Sequence, residues 1–379
     1  MAFVALAAFT VQPVSTASAA TVYCEQYKTI PVAEGRYIVD NNNYGKGVKQ
    51  CVSTDGTDSF TVTSSNAAAS PPSSPVSYPE IFEGCHWNTC TAGSKLPLRV
   101  DTIGSSTSSW STTLPSTGNF NVSYDLWFNT TPTTPKDNGQ PDGAELMIWL
   151  NQRSSADSPA GTYASVGGKG YHTWQLPMEG NGRKWPLLGY RMDTPTTSVN
   201  NLDLRAFIRD AVVRGVVKPD WYLIAVEAGF ETWSGGEGLR TNAFSSASAV
   251  GYPVGAVRSG ITGGCMNNYG DRLVDGNPVV LGFCTDTTGQ KWTISMDGTI
   301  RHRDRCLGTT GAKVSLNPCN GSPYQIWQVG LHGALWNHGA AACLRAPGGA
   351  IGTQLDLADC NGAANEAWKL PSTLAAQPY

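Results

Sequence analysis

The C-terminal third of the chain repeats itself three times, and an internal repeat constrains a fold more tightly than any composition does. Cys265 and Cys284 are followed by Gln290-Lys291-Trp292, Cys306 and Cys319 by Gln325-Ile326-Trp327, and Cys343 and Cys360 by Glu366-Ala367-Trp368. Each unit is roughly 40 residues long, the size of one supersecondary element used in series. A single unit cannot bury its apolar face, whereas three share a core. The Trp of each unit is expected in that core, and its two Cys are expected to close one small loop. Zinc is the alternative for these cysteines, but the spacings are long and no C-x-x-C occurs.

The remaining cysteines, Cys24, Cys51, Cys85 and Cys90, all precede residue 100, and none lies between Cys90 and Cys265. With 379 residues, this gap predicts two domains. The small, polar run from Ser245 to Pro253 suits a short linker, which sets expected domains at 21–246 and 256–379 with residues 247–255 between them. Residues 1–20 hold an apolar run too short to cross a bilayer, then Ala17-Ser18-Ala19, which reads as a removable export leader although no Lys or Arg precedes it. A buried N-terminal strand is the alternative. Ten cysteines, an even number, fit a secreted protein with disulfides.

Only 15% of residues are charged, the net charge is -3, and no basic stripe is visible, which excludes a nucleic-acid partner. No later segment is apolar enough for a membrane span, so the mature protein is expected to be soluble; separately, a monomer is expected. The five His show no metal-ligand spacing, and neither a catalytic metal nor a cofactor is expected.

The first domain reads as strands: Phe60–Val62, Asn119–Phe128, Glu145–Leu150 and Trp221–Phe230, separated by turn signals such as Asp142-Gly143 and Gly167-Gly168. One helix is predicted from Leu202, Leu204, Phe207, Ile208, Ala211, Val212 and Val216, ended by Val217-Lys218-Pro219. Many strands and one helix predict a β-sandwich or jelly roll.

Two of those strands carry carboxylates among apolar residues. Glu145, Met147 and Trp149 share one strand face, with Leu146 and Ile148 behind; Glu227, Gly229 and Glu231 share another, with Ala228 and Phe230 behind. A charge in such a strand costs several kcal/mol if buried alone, so the strands are expected to line a wet cleft, with Gly229 leaving room for a substrate. Either glutamate by itself reads as an ordinary strand-end carboxylate. Together, in Trp-containing strands, they form the pair that glycoside hydrolysis requires.

The repeat resembles the ricin B-type β-trefoil lectin, a family 13 carbohydrate-binding module, through its Cys pairs and its Q-x-W signature. Competent units of that family carry Asp two residues after the first Cys and an aromatic two residues before the second. Here those positions hold Asn267, Gly308 and Arg345, and Gly282, Asn317 and Ala358. Weak or altered binding of a second glycan is therefore expected, with Asn267 and Phe283 as the best remnant.

The first domain resembles glycoside hydrolase family 12, through Gly35-Arg36-Tyr37, Asn41-Asn42-Asn43-Tyr44-Gly45, Gly84-Cys85-His86, Ser123-Tyr124-Asp125-Leu126-Trp127, Glu145-Leu146-Met147-Ile148-Trp149 and Ala228-Gly229-Phe230-Glu231-Thr232-Trp233, in the family's order. The resemblance implies an all-β fold, a jelly-roll sandwich with one helix, followed by the trefoil. It implies a retaining endo-β-1,4-glucanase acting on cellulose, xyloglucan or mixed-linkage glucan. Glu145 would be the nucleophile, Glu231 the general acid/base, and Asp125 a supporting acid hydrogen-bonded to Glu145. The two catalytic carboxyls are expected to have split pKa values. Glu227 would either raise the pKa of Glu231 or bind sugar hydroxyls. Tyr44, where the family usually has Trp, together with Met147, Trp149 and Trp233, would line subsites, while Trp127 and Trp221 read equally as core. The resemblance also implies disulfides Cys24–Cys51 and Cys85–Cys90. A xylanase of the related jelly-roll clan and a non-catalytic carbohydrate-binding protein are the competing readings.

Overall fold

The structure, a computed structural model, describes residues 19–379 apart from 88, 133–140, 155–160 and 181. The expected leader therefore lies outside the described residues, except for Ala19 and Ala20. Strand alternation organises the first domain. In the strand Asn119–Asn129, Phe120, Val122, Tyr124, Leu126 and Phe128 point into one buried core, while Ser123, Asp125 and Trp127 point to the opposite face. That core fills the space between two sheets. The outer sheet runs in the order Thr21–Tyr23, Gln50–Thr54, Phe60–Ser65, Arg240–Val250, Ile103–Thr113, Ser198–Asp203. The inner sheet runs Thr162–Val166, Lys169–Gly180, Arg183–Met192, Glu145–Arg153, Asn119–Asn129, Tyr222–Gly229, Glu80–His86, Tyr37–Asp40, Thr29–Val32. This is the jelly-roll sandwich expected from the strand pattern.

Among the described residues one α-helix forms, Leu204–Val213. Asp203 caps it by accepting from the Ala206 amide at 3.1 Å. It stops before the expected Pro219 signal because Gly215 takes a left-handed conformation, φ +76°. Val216 then donates to the Ala211 carbonyl at 3.0 Å and Gly215 to that of Val212 at 2.9 Å, closing the last turn. Leu204, Phe207, Ile208 and Ala211 bury one face in the sandwich core.

The second domain is a trefoil whose three units superpose chemically. Trp292, Trp327 and Trp368 lie in one apolar core. Each indole N–H donates to the carbonyl of the residue after its unit's first Cys: Met266 at 3.0 Å, Leu307 at 2.9 Å and Leu344 at 3.0 Å. Disulfides Cys265–Cys284, Cys306–Cys319 and Cys343–Cys360 close the unit loops, and Cys24–Cys51 and Cys85–Cys90 are paired in the first domain. Gln290 and Gln325 each do two jobs: the amide oxygen accepts from backbone N–H groups, and the amide nitrogen donates to the Phe283 or Pro318 carbonyl. Glu366 keeps the acceptor role, taking the Asn361 amide at 2.8 Å, but its other oxygen is buried without a partner.

No free linker exists where one was expected. Residues 247–250 belong to the strand Arg240–Val250, paired with Ile103–Thr113, and Tyr252–Gly255 is the first strand of the trefoil. Small side chains there reflect close packing rather than freedom: alternate residues are buried, and the Ser248 hydroxyl meets that of Ser106 at 2.9 Å. Only Gly251 separates the two domains. The helix joins them again. Arg205 donates to the Ile103 and Ile294 carbonyls at 2.9 and 2.8 Å, and Arg209 to those of Ser295 and Gly298 at 2.9 and 2.8 Å. Burial pushes both guanidinium groups down to about 10, and each remains cationic at neutral pH. Met296 of the trefoil inserts into the sandwich core.

Candidate active site

The inner sheet sets the site through register. Asp125 stands opposite Met147 on one neighbouring strand and opposite Glu227 on the other, and Trp127 stands opposite Glu145. Side chains with period 2 from Asp125 leave the core and enter a concave cleft. Glu145, Asp125, Glu227 and Glu231 all line one cavity of about 660 Å³, with Tyr44, Trp87, Trp127 and Trp185 in its walls. Glu231 lies between the strands Tyr222–Gly229 and Thr232–Gly235, both of which pair with Asn119–Asn129.

Each carboxylate has its own donors. Glu145 Oε2 accepts from the Trp185 indole at 2.7 Å. Glu231 Oε2 accepts from the Asn121 side-chain amide, and the Glu231 backbone N–H donates to Asn121 Oδ1 at 3.2 Å. Glu227 takes the Trp127 indole at 3.0 Å and faces His86 Nδ1 at 2.5 Å. Asp125 accepts from the Ser123 hydroxyl at 3.3 Å. The expected hydrogen bond from Asp125 to Glu145 is absent among these contacts, and Trp185, forty residues along the chain, orients Glu145 instead.

Burial raises Glu145 to about 8, the Trp185 hydrogen bond opposes that rise, and the charges of Glu231 and Glu227 add to it. Burial raises Glu231 to about 7, opposed by Asn121. Asp125 is raised well above the usual carboxylate range by burial, then by the charges of Glu145, Glu231 and Glu227. The two glutamates are thus raised together rather than split far apart. Like charges in one cleft resist joint ionisation, so the cluster retains protons near neutral pH.

The structure divides the remaining candidates. Tyr44, 40% exposed, and Glu227 line the cleft. Met147 and Trp149 share the Glu145 face, but they pack with Trp174 and Leu187 in an apolar cluster, and Trp149 borders a separate cavity with Tyr163, His172 and Arg191. Trp233 is buried and donates to the Ser73 carbonyl at 2.7 Å, which anchors a loop rather than a sugar. The space beside Gly229 is filled by protein: a Cβ there would sit 2.8 Å from Tyr78 and from Glu80. Trp87 and Trp185 went unseen in the sequence because neither lies in a strand with Asp125, Glu145 or Glu227. The aromatic wall they form with Trp127, at centroid distances of 6.1 and 5.9 Å, arises only when the sheet assembles.

A sandwich whose concave face gathers four carboxylates and an aromatic wall has the architecture of a polysaccharide-cleaving jelly roll. A family model described as "Glycosyl hydrolase family 12" matches residues 35–249, and one described as "Ricin-type beta-trefoil lectin domain" matches residues 253–368. The chain belongs to glycosyl hydrolase family 12 and carries a ricin-type β-trefoil lectin domain after it. It is 32% identical over 165 residues to Endoglucanase S of Pectobacterium parmentieri, an alignment covering 42% of this chain and 60% of that protein. It is 31% identical over 157 residues to the probable cellulase Cel12b of Mycobacterium tuberculosis (strain ATCC 25618 / H37Rv), covering 41% of this chain and 97% of that one. A metagenome-derived glycoside hydrolase family 12 endoglucanase of known structure aligns with a TM-score of 0.57 and 40% identity, covering 62% of this chain and 99% of its own. No helix among the described residues is long and apolar enough to cross a membrane.

Proposed function

We propose that the protein is an exported endo-β-1,4-glucanase that cleaves internal bonds of cellulose or a related β-glucan by double displacement with retention. The observation that carries this reading is the convergence of Glu145 and Glu231, from distant parts of the chain, on one cleft. Protonated Glu231 gives its proton to the glycosidic oxygen while Glu145 attacks the anomeric carbon and forms a glycosyl ester. Glu231, now a carboxylate, takes a proton from water, which attacks the same carbon and frees Glu145. Retention requires the two carboxyls to lie about 5–5.5 Å apart. Trp185 holds Glu145 in place, and Trp87, Trp127 and Tyr44 offer faces to pyranose rings. Five disulfides support export, since such bonds persist in oxidising compartments.

The trefoil is proposed to be a weak or altered glycan binder. In its third unit the position of the usual acid holds Arg345, locked to Asp356 by two hydrogen bonds of 3.0 Å, and in the second unit Gly308 offers no side chain. Phe283 in the first unit is 66% exposed and remains available to a sugar ring.

Reducing-sugar assays on carboxymethylcellulose, xyloglucan and barley glucan, with the anomer of the first product followed by NMR, test the catalytic reading. Glu145→Gln and Glu231→Gln are each expected to lose at least about 1,000-fold in kcat. A first product of inverted configuration, or full activity in either variant, overturns the assignment. The substrate panel ranks the three glucans.

A further inference from the structure

Beside the catalytic carboxylates lies a second cluster that the hydrolysis does not use. Asp40 and Glu80 stand opposite each other on neighbouring strands, and both point away from the core that takes Val39 and Ile81. His86 follows Glu80 on the same face of the same strand. One ligand atom from each of the three lies within 4.8 Å of the others, and His86 Nε2 is 3.7 Å from Glu80 Oε1. Glu80 is fully buried, and neither of its oxygens has a hydrogen-bond partner; His86 Nε2 has none either. The Asn42 side chain approaches Glu80 and offsets part of that burial without a hydrogen bond of ordinary geometry. Such unpaired buried groups are costly unless something neutralises them.

The other ring nitrogen indicates what that something is. His86 Nδ1 meets Glu227 Oε1 at 2.5 Å, and the remaining oxygen of Glu227 accepts the Trp127 indole. A carboxylate on Nδ1 places the ring proton there and leaves the Nε2 lone pair facing Asp40 and Glu80. This is the carboxylate–histidine arrangement that orients a metal ligand. Ligand atoms about 2.1 Å from a shared ion stand roughly 3–4 Å apart, which the Nε2–Oε1 separation already meets. Asp40 and His86 also border the cleft, so an ion can enter from it and keep water in its open positions.

We propose that Asp40, Glu80 and His86 form a site for a divalent first-row transition ion, Zn²⁺ or Mn²⁺, beside the catalytic cleft. One imidazole and two carboxylates suit such ions better than Ca²⁺, which prefers six to eight oxygens. The full chain, stripped with EDTA, is titrated with ZnCl₂, MnCl₂ and CaCl₂ by calorimetry, with bound metal counted by mass spectrometry. One equivalent of Zn²⁺ or Mn²⁺ is expected to bind and to raise Tm. Glu80→Gln and Asp40→Asn are each expected to weaken that binding by at least about 10-fold. Glu80→Gln keeps the side chain's size and removes a buried charge, so it is expected to fold; Asp40→Asn supplies the same test at the opposite strand. The absence of stoichiometric binding, preference for Ca²⁺, or undiminished binding in both variants overturns the proposal. The readout is metal binding, so it is independent of glucanase activity.

Discussion

Replacing Trp185 with Phe isolates one hydrogen bond at the centre of the proposed mechanism. The indole N–H is the donor to Glu145 Oε2, at 2.7 Å, and phenylalanine keeps an aromatic ring against Trp127 while removing that donor. Glu145 is nearly buried, and its pKa, already raised to about 8 with the donor in place, is opposed mainly by this bond. A hydrogen bond to a charged group is worth about 1.5–3 kcal/mol. At about 1.4 kcal/mol per pKa unit, its loss lifts Glu145 by roughly 1–2 units. The ionised nucleophile then becomes scarcer at low pH. Because Glu145 already titrates above Glu231, whose proton must stay on, raising it further shrinks the fraction holding the working pair of protonation states: kcat/KM on the acid side should fall about 10- to 100-fold, and the alkaline limb should move up by the same roughly 1–2 units. The assay is a pH–rate profile on a soluble β-glucan, with a carboxyl NMR titration of the same variant. An unmoved alkaline limb, with no rise in the Glu145 titration and the loss uniform across pH, would refute the reasoning and reduce Trp185 to a packing residue.

Arg209→Ala removes two charged donors from the Ser295 and Gly298 carbonyls, and should cost about 2–5 kcal/mol and turn one thermal transition into two, as followed by calorimetry. An unchanged single transition would mean that the domains do not depend on this contact. Glu366→Gln restores the amide donor that Gln290 and Gln325 use in the other two units, and should raise stability by about 1 kcal/mol in denaturant unfolding; a loss of stability would count against the threefold account of these residues. Asp125, Glu145 and Glu231 all have raised pKa values, so the folded chain holds protons that the unfolded chain releases above about 4.5. The stability from these groups is present at low pH and lost as pH climbs towards 7–8, by at most about 1.4 kcal/mol per pH unit per group, and by less for Glu231, which is partly open to solvent. Tm measured from pH 5 to 8 should fall, and a flat or rising curve contradicts the cluster's electrostatics.

Much of this protein is legible in its sequence because it is written in near neighbours. Alternation along Asn119–Asn129 and Glu145–Arg153 assigns core and cleft faces, and the recurrence of Cys pairs before Trp292, Trp327 and Trp368 predicts three units around one core. The face of Glu145 follows from its own strand. Other features depend on which strands become neighbours, and no local pattern records sheet order. Residues 40, 80 and 86 share no recognisable ligand spacing, yet adjacent strands bring them together. Trp185 reaches Glu145 only because its strand pairs in parallel with the strand of Glu145. Small residues at 245–250 look like a linker and are a packed strand, because only the facing sheet tells close packing from freedom. Periodicity is local and survives in the sequence, whereas convergence belongs to the assembled sheets and is decided in three dimensions.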